Sequence, residues 1–380
     1  MRRPAQTQIQ SVNTFERLPN ENLIRPTRFR PSWAAFQVTN ITRLGRQALG
    51  HFQTSEKIRW GIIGTGNIAR KFAEGLGTLP DSQLIAVGSR ARDTADSFGD
   101  LFHVKDRFDS YEELANDPDV DVVYVSTPNN LHKENTLMCL RAGKSVLCEK
   151  PFAINAQETA EMISLARQRG LFLMEAMWTR FLPAIVKLRE ILDQKTIGEV
   201  RMLFADFGFR SEMNPKSRIF DPSLGGGALL DVGIYPLSLA SMIFGTPSRI
   251  TGMAHIGETG VDEQSAVILG YNKGELALIA AAARTHTPQV AHLLGTGGRV
   301  IVDPPFWRPQ TLTLSVDGRT EETKQIPFEG NGYSYEAAEV NRCLRERRTE
   351  SDTMPLDETL SIMETMDAIR SQWGLKYPHE

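Results

Sequence analysis

The sequence predicts an α/β domain with a parallel sheet covered on both faces, followed by an α+β domain with an open, mostly antiparallel sheet. Two observations carry this. From Ile58 to about Ala176, short apolar runs alternate with segments of helical spacing. Parallel strands joined by crossover helices produce that rhythm. Beyond it, alternating strands follow one another with short turns such as YNKGE (271–275), the habit of antiparallel sheets.

Taken in order, IRWGII (58–63) is the first strand, and GTGNIARKFAEGL opens the first helix. LIAVGS (84–89) is the second strand, ARDTADSFG a helix and HVKDRFD a third strand. SYEELAND is a short helix capped by Ser110, and DVVYVST (121–127), rich in β-branched residues, is a strand. NLHKENTLMCLRAG is a helix, SVLCEK a strand, NAQETAEMISLARQRG a helix capped by Asn155, and LFLMEA a strand. TRFLPAIVKLREILD leads into EVRMLFADFGF, SRITGMAHI, SAVILGYN, GELALIAAAAR, RVIVD and TLTLSV as strands. A Gly-rich helix, GGGALLDVGIYPLSLASMIFG, lies between the first two of these, and two helices, SYEAAEVNRCLRER and LDETLSIMETMDAIRSQWG, end the chain. The expected division is a basic extension or arm at 1–54 and an α/β domain at 55–176. A substrate and oligomerisation domain follows at 177–350, then a C-terminal helix at 351–380 that packs back on the first domain.

Composition narrows the partners. The chain is 41% hydrophobic and 23% charged with a net charge of -3, ordinary globular values that give no case for nucleic acid or an anionic membrane. Three scattered cysteines, Cys139, Cys148 and Cys343, suit a reducing compartment, so a cytoplasmic location is expected. No two histidines stand at metal-ligand spacing, and no metal is expected. Residues 1–54 hold eight arginines against Glu16 and Glu21. No apolar run follows Arg2 and Arg3, which excludes a twin-arginine signal. A disordered extension, an arm on a neighbouring subunit and a transit peptide stay open.

Gly64-Thr65-Gly66-Asn67-Ile68-Ala69 fits G-x-G-x-x-A directly after a strand and at the start of a helix. Gly64 allows the tight turn, Gly66 lets the backbone approach a pyrophosphate, and Ala69 lets helix and strand pack closely. This is a dinucleotide-binding (Rossmann) signature. The second strand ends in Gly88-Ser89-Arg90 rather than in an acid that would accept from a ribose 2′-OH. Ser89 and Arg90 can meet a 2′-phosphate, which favours NADP over NAD. A second cluster, Gly295-Thr296-Gly297-Gly298, precedes a strand and reads as a hairpin turn.

Ligands of open parallel sheets lie beyond the carboxyl ends of the strands. There the sequence puts STPNNLH (126–132) and LCEKPF (147–152). Thr127, Pro128, Asn130 and Glu149 are candidate cofactor contacts. His132 is counted with them as a neighbour of the cofactor loop and reads as structural. Lys150 can reach nicotinamide and substrate together. Beside a positive nicotinamide its pKa is expected to fall, which suits proton exchange with a hydroxyl or carbonyl. Pro151 restricts the backbone after Lys150 and allows a cis bond.

IIGTGNIA, STPNNLH and CEKP, together with MEAMWTRFLP (174–183) and GGGALLDVGIYPLSLA (225–240), resemble the glucose–fructose oxidoreductase / inositol dehydrogenase family over residues 57–378. Its dimeric dihydrodiol dehydrogenases and NADP-dependent pyranose dehydrogenases look nearest. The resemblance implies a catalytic lysine at Lys150 and an Asp-x-x-x-His/Tyr motif at Asp231 and Tyr235, with Tyr235 as proton donor. Spacing of four puts the last two on one helical face. It brings Trp178 and Arg180 to the nicotinamide end. Arg218, Phe209 and Trp307 are candidates for the substrate pocket.

The function implied is NADP-dependent hydride transfer to or from a cyclic polyol, aldose or trans-dihydrodiol, with Lys150 and Tyr235 as a proton relay. A homodimer or homotetramer through the second sheet is expected. Two alternatives remain. One is a dinucleotide-binding regulator without turnover, against which the joint presence of Lys150, Asp231 and Tyr235 argues. The other is an enzyme that keeps its NADP and passes hydride between two sugars.

Overall fold

The computed structural model describes residues 57–378 and 380; the expectations for residues 1–54 lie outside them. The first layer is built from β1 (Ile58–Ile63), α1 (Asn67–Leu76), β2 (Ser82–Gly88), α2 (Arg92–Phe102), β3 (Asp106–Phe108), α3 (Tyr111–Asn116), β4 (Val122–Val125), α4 (His132–Arg141), β5 (Ser145–Glu149), α5 (Ala156–Arg169) and β6 (Leu173–Ala176). The six strands pair in the order β3-β2-β1-β4-β5-β6, all parallel. Every residue of β4, β5 and β6 is buried, as strands covered on both faces must be. Ser110 and Asn155 cap α3 and α5 by accepting from Glu113 N and Glu158 N. The strand order reverses between β1 and β4, and a crevice opens there at the carboxyl ends.

The second layer comprises α6 (Pro183–Asp193), β7 (Val200–Gly208), α7 (Ile234–Phe244), β8 (Arg249–Ile256), β9 (Asp262–Gly270), β10 (Leu276–Ala282), β11 (Ala291–Gly295), β12 (Gly298–Val302), β13 (Thr311–Val316), β14 (Glu322–Gln325), α8 (Ser334–Arg345) and α9 (Leu356–Trp373). Its eight strands run β14-β13-β12-β11-β7-β10-β9-β8, antiparallel except where β7 meets β10. The second glycine cluster is the β11–β12 turn, with Gly295 opposite Gly298. Sequence reading missed β11 and β14. β11 is five residues ending in that turn, and β14, ETKQ, carries no apolar residue because it is an exposed edge.

α7 covers one face of this sheet. The segment Pro222–Phe244 that contains it is apolar enough for a membrane span, but most of it is buried inside the protein. The other face exposes Phe204, Met253 and Ile268. One apolar cluster runs from Ile58 and Trp60 through Trp178 to Leu203, Ile279 and Met363, so the two sheets share a core. α9 packs on α5 as well as on α7 and β8.

Candidate active site

The cleft at the switch point measures about 590 Å³ and joins the phosphate loop to Lys150. Gly64 has φ +98°, and a Cβ there would stand 2.9 Å from the Ser126 carbonyl oxygen. Only glycine fits without strain. A Cβ on Gly66 would meet nothing within 4 Å, so this side of the loop is open to a ligand. Ala69 is buried, and α1 starts with no side-chain cap. Its first amides, among them those of Asn67 and Ile68, are therefore free to meet an anion. Thr65, Ser89 and Arg90 line the same cleft. The Ser89 hydroxyl is 2.5 Å from that of Thr94 and 3.5 Å from that of Thr65. Tyr111, which sequence reading did not single out, faces Arg90: burial pushes its hydroxyl pKa up and the bonded guanidinium pulls it back.

Thr127 and Pro128 line the cleft, and Asn129 does so in place of Asn130. Asn129 Nδ2 donates to the Gly225 carbonyl at 3.1 Å, while Asn130 Oδ1 is buried without a partner. His132 ties the two loops together. Its ring nitrogens lie 2.8 Å from the Thr127 and Pro151 carbonyl oxygens. Burial pushes its pKa down to about 4, while the two carbonyls, each of which only an N–H can satisfy, pull it up; its position between the loops is structural. The Lys150–Pro151 bond is cis. Glu149 is buried, accepts from Tyr124 and takes the Lys150 amide at 3.0 Å.

Asp231 and Tyr235 both reach the cleft, but not from one regular helix. Leu229–Gly233 is a π-turn, with the Ile234 amide donating to Leu229 O, and Tyr235 is the second residue of α7. Pro236 accounts for it. Proline has no N–H and its ring collides with the carbonyl four residues back, so an α-turn cannot continue through it. The expected single α-helical face is thus corrected. The extra residue of the π-turn keeps Asp231 beside Lys150.

Lys150 Nζ donates to the Asp231 carbonyl at 2.9 Å, stands 3.8 Å from Asp231 Oδ1 and lies 5.0 Å from the Tyr235 ring centroid. Burial lowers the Lys150 pKa, but Tyr235, Asp231 and Glu149 outweigh it and the net shift is upward. The expected fall is therefore not what the protein itself produces: its own acidic groups hold the proton on. Burial likewise raises the Tyr235 pKa, with Lys150 and the Trp178 bond opposing. Burial would raise the Asp231 pKa too, yet Lys150 and Arg218 bring it below the ordinary value. Arg218 Nη1 meets Asp231 Oδ1 at 2.7 Å.

Trp178 lies behind Tyr235 and donates to its hydroxyl from Nε1 at 3.2 Å. Phe207 and Trp307 stack at 5.0 Å, and Phe207 is 5.3 Å from the Tyr235 ring. Phe209, the residue expected there, lies just past β7 and outside the cleft lining. Phe207 on the same face and Trp307 are outside that lining too; both pack against the Tyr235 ring from behind. Strand alternation gave the face but could not fix which of Phe207 and Phe209 is level with Tyr235. Arg180 does not face the cleft. Its buried guanidinium holds Ser238 Oγ at 2.9 Å and Glu358 Oε1 at 2.6 Å, joining α7 to α9.

The strand order and the amide cradle are those of the dinucleotide-binding class of α/β folds. The chain belongs to the Gfo/Idh/MocA family, whose description is oxidoreductase family, NAD-binding Rossmann fold: its N-terminal profile matches residues 58–177 and its C-terminal profile residues 185–301. The chain is 40% identical to the trans-1,2-dihydrobenzene-1,2-diol dehydrogenase of Mus musculus, over 85% of this chain and 99% of the mouse protein. Identity to the Homo sapiens enzyme of that name is 38%, with the same coverage. Among solved structures, an aldose-aldose oxidoreductase from Caulobacter crescentus complexed with glycerol superposes with TM-score 0.78 at 26% identity, covering 84% of this chain and 98% of that one. A 3-ketoreductase from Actinomadura kijaniata, in complex with NADP and TDP-benzene, gives 0.75 at 26% identity, with 83% and 98% covered.

Proposed function

We propose that this protein is an NADP-dependent oxidoreductase of the cytoplasm acting on a cyclic polyol, aldose or trans-dihydrodiol, or on the matching carbonyl. One observation carries the reading: a single cleft joins an uncapped, glycine-lined helix start to the buried group of Lys150, Asp231 and Tyr235. The cradle fits a dinucleotide, since Gly66 leaves room where a side chain would intrude. The amides of Asn67 and Ile68 would hold the pyrophosphate, and Ser89 and Arg90 the 2′-phosphate. When bound, the nicotinamide supplies or accepts the hydride.

Tyr235 donates the proton to a carbonyl oxygen, or takes it from a hydroxyl in the reverse direction. Lys150 stabilises the tyrosinate that donation leaves and returns the proton to it. Both groups have raised pKa values, so both carry their protons and stand ready to reduce a carbonyl. Asp231 holds a neighbouring substrate hydroxyl, and Arg218 keeps that carboxylate charged. The Phe207–Trp307 stack packs against the Tyr235 ring and fixes its orientation. The names of the mouse and Caulobacter relatives support the substrate range.

A panel of trans-1,2-dihydrobenzene-1,2-diol, aldoses, cyclic polyols and diketones, read by NADP reduction and NADPH oxidation, tests this. No turnover of any member, with NADP bound, would favour a regulator. Purified protein that already carries nicotinamide absorbance would favour a sugar–sugar oxidoreductase that retains its cofactor. We also propose that two copies pair through the open face of the second sheet, where Phe204, Met253 and Ile268 are exposed.

A further inference from the structure

The segment after α9 binds together the two stretches of chain that carry Lys150 and Asp231. Arg370, in the last turn of α9, is buried. Its guanidinium meets Asp367 Oδ1 at 2.6 Å and both carboxylate oxygens of Glu380 at 2.8 Å, and it reaches the Ile154 carbonyl at 3.4 Å. The same two acids hold the start of α5. Asp367 accepts from the Ala156 amide at 2.8 Å, and Glu380 from the Asn155 side chain at 3.0 Å. This end of the network therefore grips the chain just beyond Lys150 and Pro151.

The other end grips the Gly-rich turn. The Arg370 guanidinium lies 4.8 Å over the ring of Tyr377, and the Tyr377 hydroxyl donates to the Gly226 carbonyl at 2.6 Å. Gly227 has φ +113°, and a Cβ there would come 2.2 Å from Asp262 Oδ1. The second oxygen of Asp262 takes the Leu229 amide at 2.7 Å, at the start of the π-turn. Lys150 Nζ on the Asp231 carbonyl completes the circuit at 2.9 Å. The centre of this network, at Arg370, Tyr377 and Asp262, is buried, and in a network with a buried centre losing one member loosens the rest.

We propose that Arg370 and Tyr377 are positioning residues: their clasp sets the distance between Lys150 and Asp231. The proposal rests on the reading of Lys150 and Asp231 as reacting groups. An ångström of misplacement at such a pair is enough to cost about 100-fold in rate.

Tyr377→Phe tests it, because the ring stays over Arg370 and only the bond to Gly226 is cut; Arg370→Met releases both ends. Hydrogen exchange is measured on the full chain. Residues 227–233 are expected to exchange about tenfold faster in Tyr377→Phe, with residues 334–345 of α8 unchanged. Arg370→Met should also loosen 152–156. Rates are taken with NADP and either trans-1,2-dihydrobenzene-1,2-diol or D-xylose, whichever is turned over. The expected result is a kcat about tenfold lower in Tyr377→Phe, with KM for NADP within about twofold of wild type. Unchanged exchange at 227–233 would overturn the clasp, and so would faster exchange with kcat intact. Lys150→Met is run in parallel: full activity there would overturn the reading of Lys150 and leave the exchange result to judge the mechanical link.

Discussion

Lys150 keeps its proton because acids surround it. Its pKa lies above the ordinary lysine value, that of Tyr235 lies above the ordinary tyrosine value, and His132 is pushed down to about 4. Between about pH 6 and pH 9 neither Lys150 nor Tyr235 should titrate in the protein alone. Carbonyl reduction should therefore show no limb from these two groups; a limb near pH 7 would report Asp262 at the start of the π-turn or Glu175, both pushed up to about 7 by burial. Lys150→Met and Tyr235→Phe should each lower kcat by about 100-fold or more, with NADP affinity nearly unchanged, as steady-state rates and cofactor titration would show. Lys150→Arg should not restore the rate, since the planar guanidinium neither fits the ammonium's place nor gives up its proton. At the far end of the cleft, Ser89→Asp with Arg90→Ala should shift preference from NADP towards NAD, read from the ratio of kcat/KM values. Much of this site was legible because its chemistry sits in short motifs at strand ends: GTGNIA, TP and EKP need no third dimension to be placed. Tyr111 and Asn129 were not legible. Each is one of two or three similar neighbours, and only the register of the fold selects it.

The π-turn is the element that makes the site. In a regular helix Asp231 would be rotated by roughly 100° relative to Tyr235 from its present place. Pro236→Ala removes the ring that forbids the α-turn, a constraint worth about 3 kcal/mol in a helix interior. The variant should be as stable as wild type or more so in thermal melts, and at least about tenfold slower, because Asp231 would leave Lys150. Unchanged kcat with unchanged stability would mean that the Gly226–Leu229 contacts hold the turn without the proline. Sequence reading gave one Gly-rich helix over GGGALLDVGIYPLSLASMIFG (225–245) and did not weigh Pro236 in its middle, which is where the turn changes. The parallel layer was read strand by strand, since its buried runs are continuous. β14 escaped because an edge strand of charged and polar residues has no hydrophobic period to detect.

At the scale of the molecule, the second sheet has two unlike faces. α7 fills one, and on the other the strands β7, β8, β9 and β10 present Phe204, Met253, Ile268 and Leu278. In the proposed pairing, Met253→Glu with Ile268→Lys should leave a soluble monomer in light scattering, because charges placed on the apolar patch oppose its burial between two copies. A monomeric wild type at all concentrations would remove the proposed pairing. The same sheet has an unusual centre. β7 pairs in parallel with β10 and antiparallel with β11, while the segment bearing Asp231 and Tyr235 runs between β7 and β8. Its middle therefore joins stretches of chain made far apart in synthesis, whereas β1 and β2 meet across one short helix. Long-range closure is slow. After dilution from denaturant, the nicotinamide domain should become native first, visible as recovery of NADP binding, and turnover should return in a later phase. The protein would then pass through a state that holds its cofactor before it can use it.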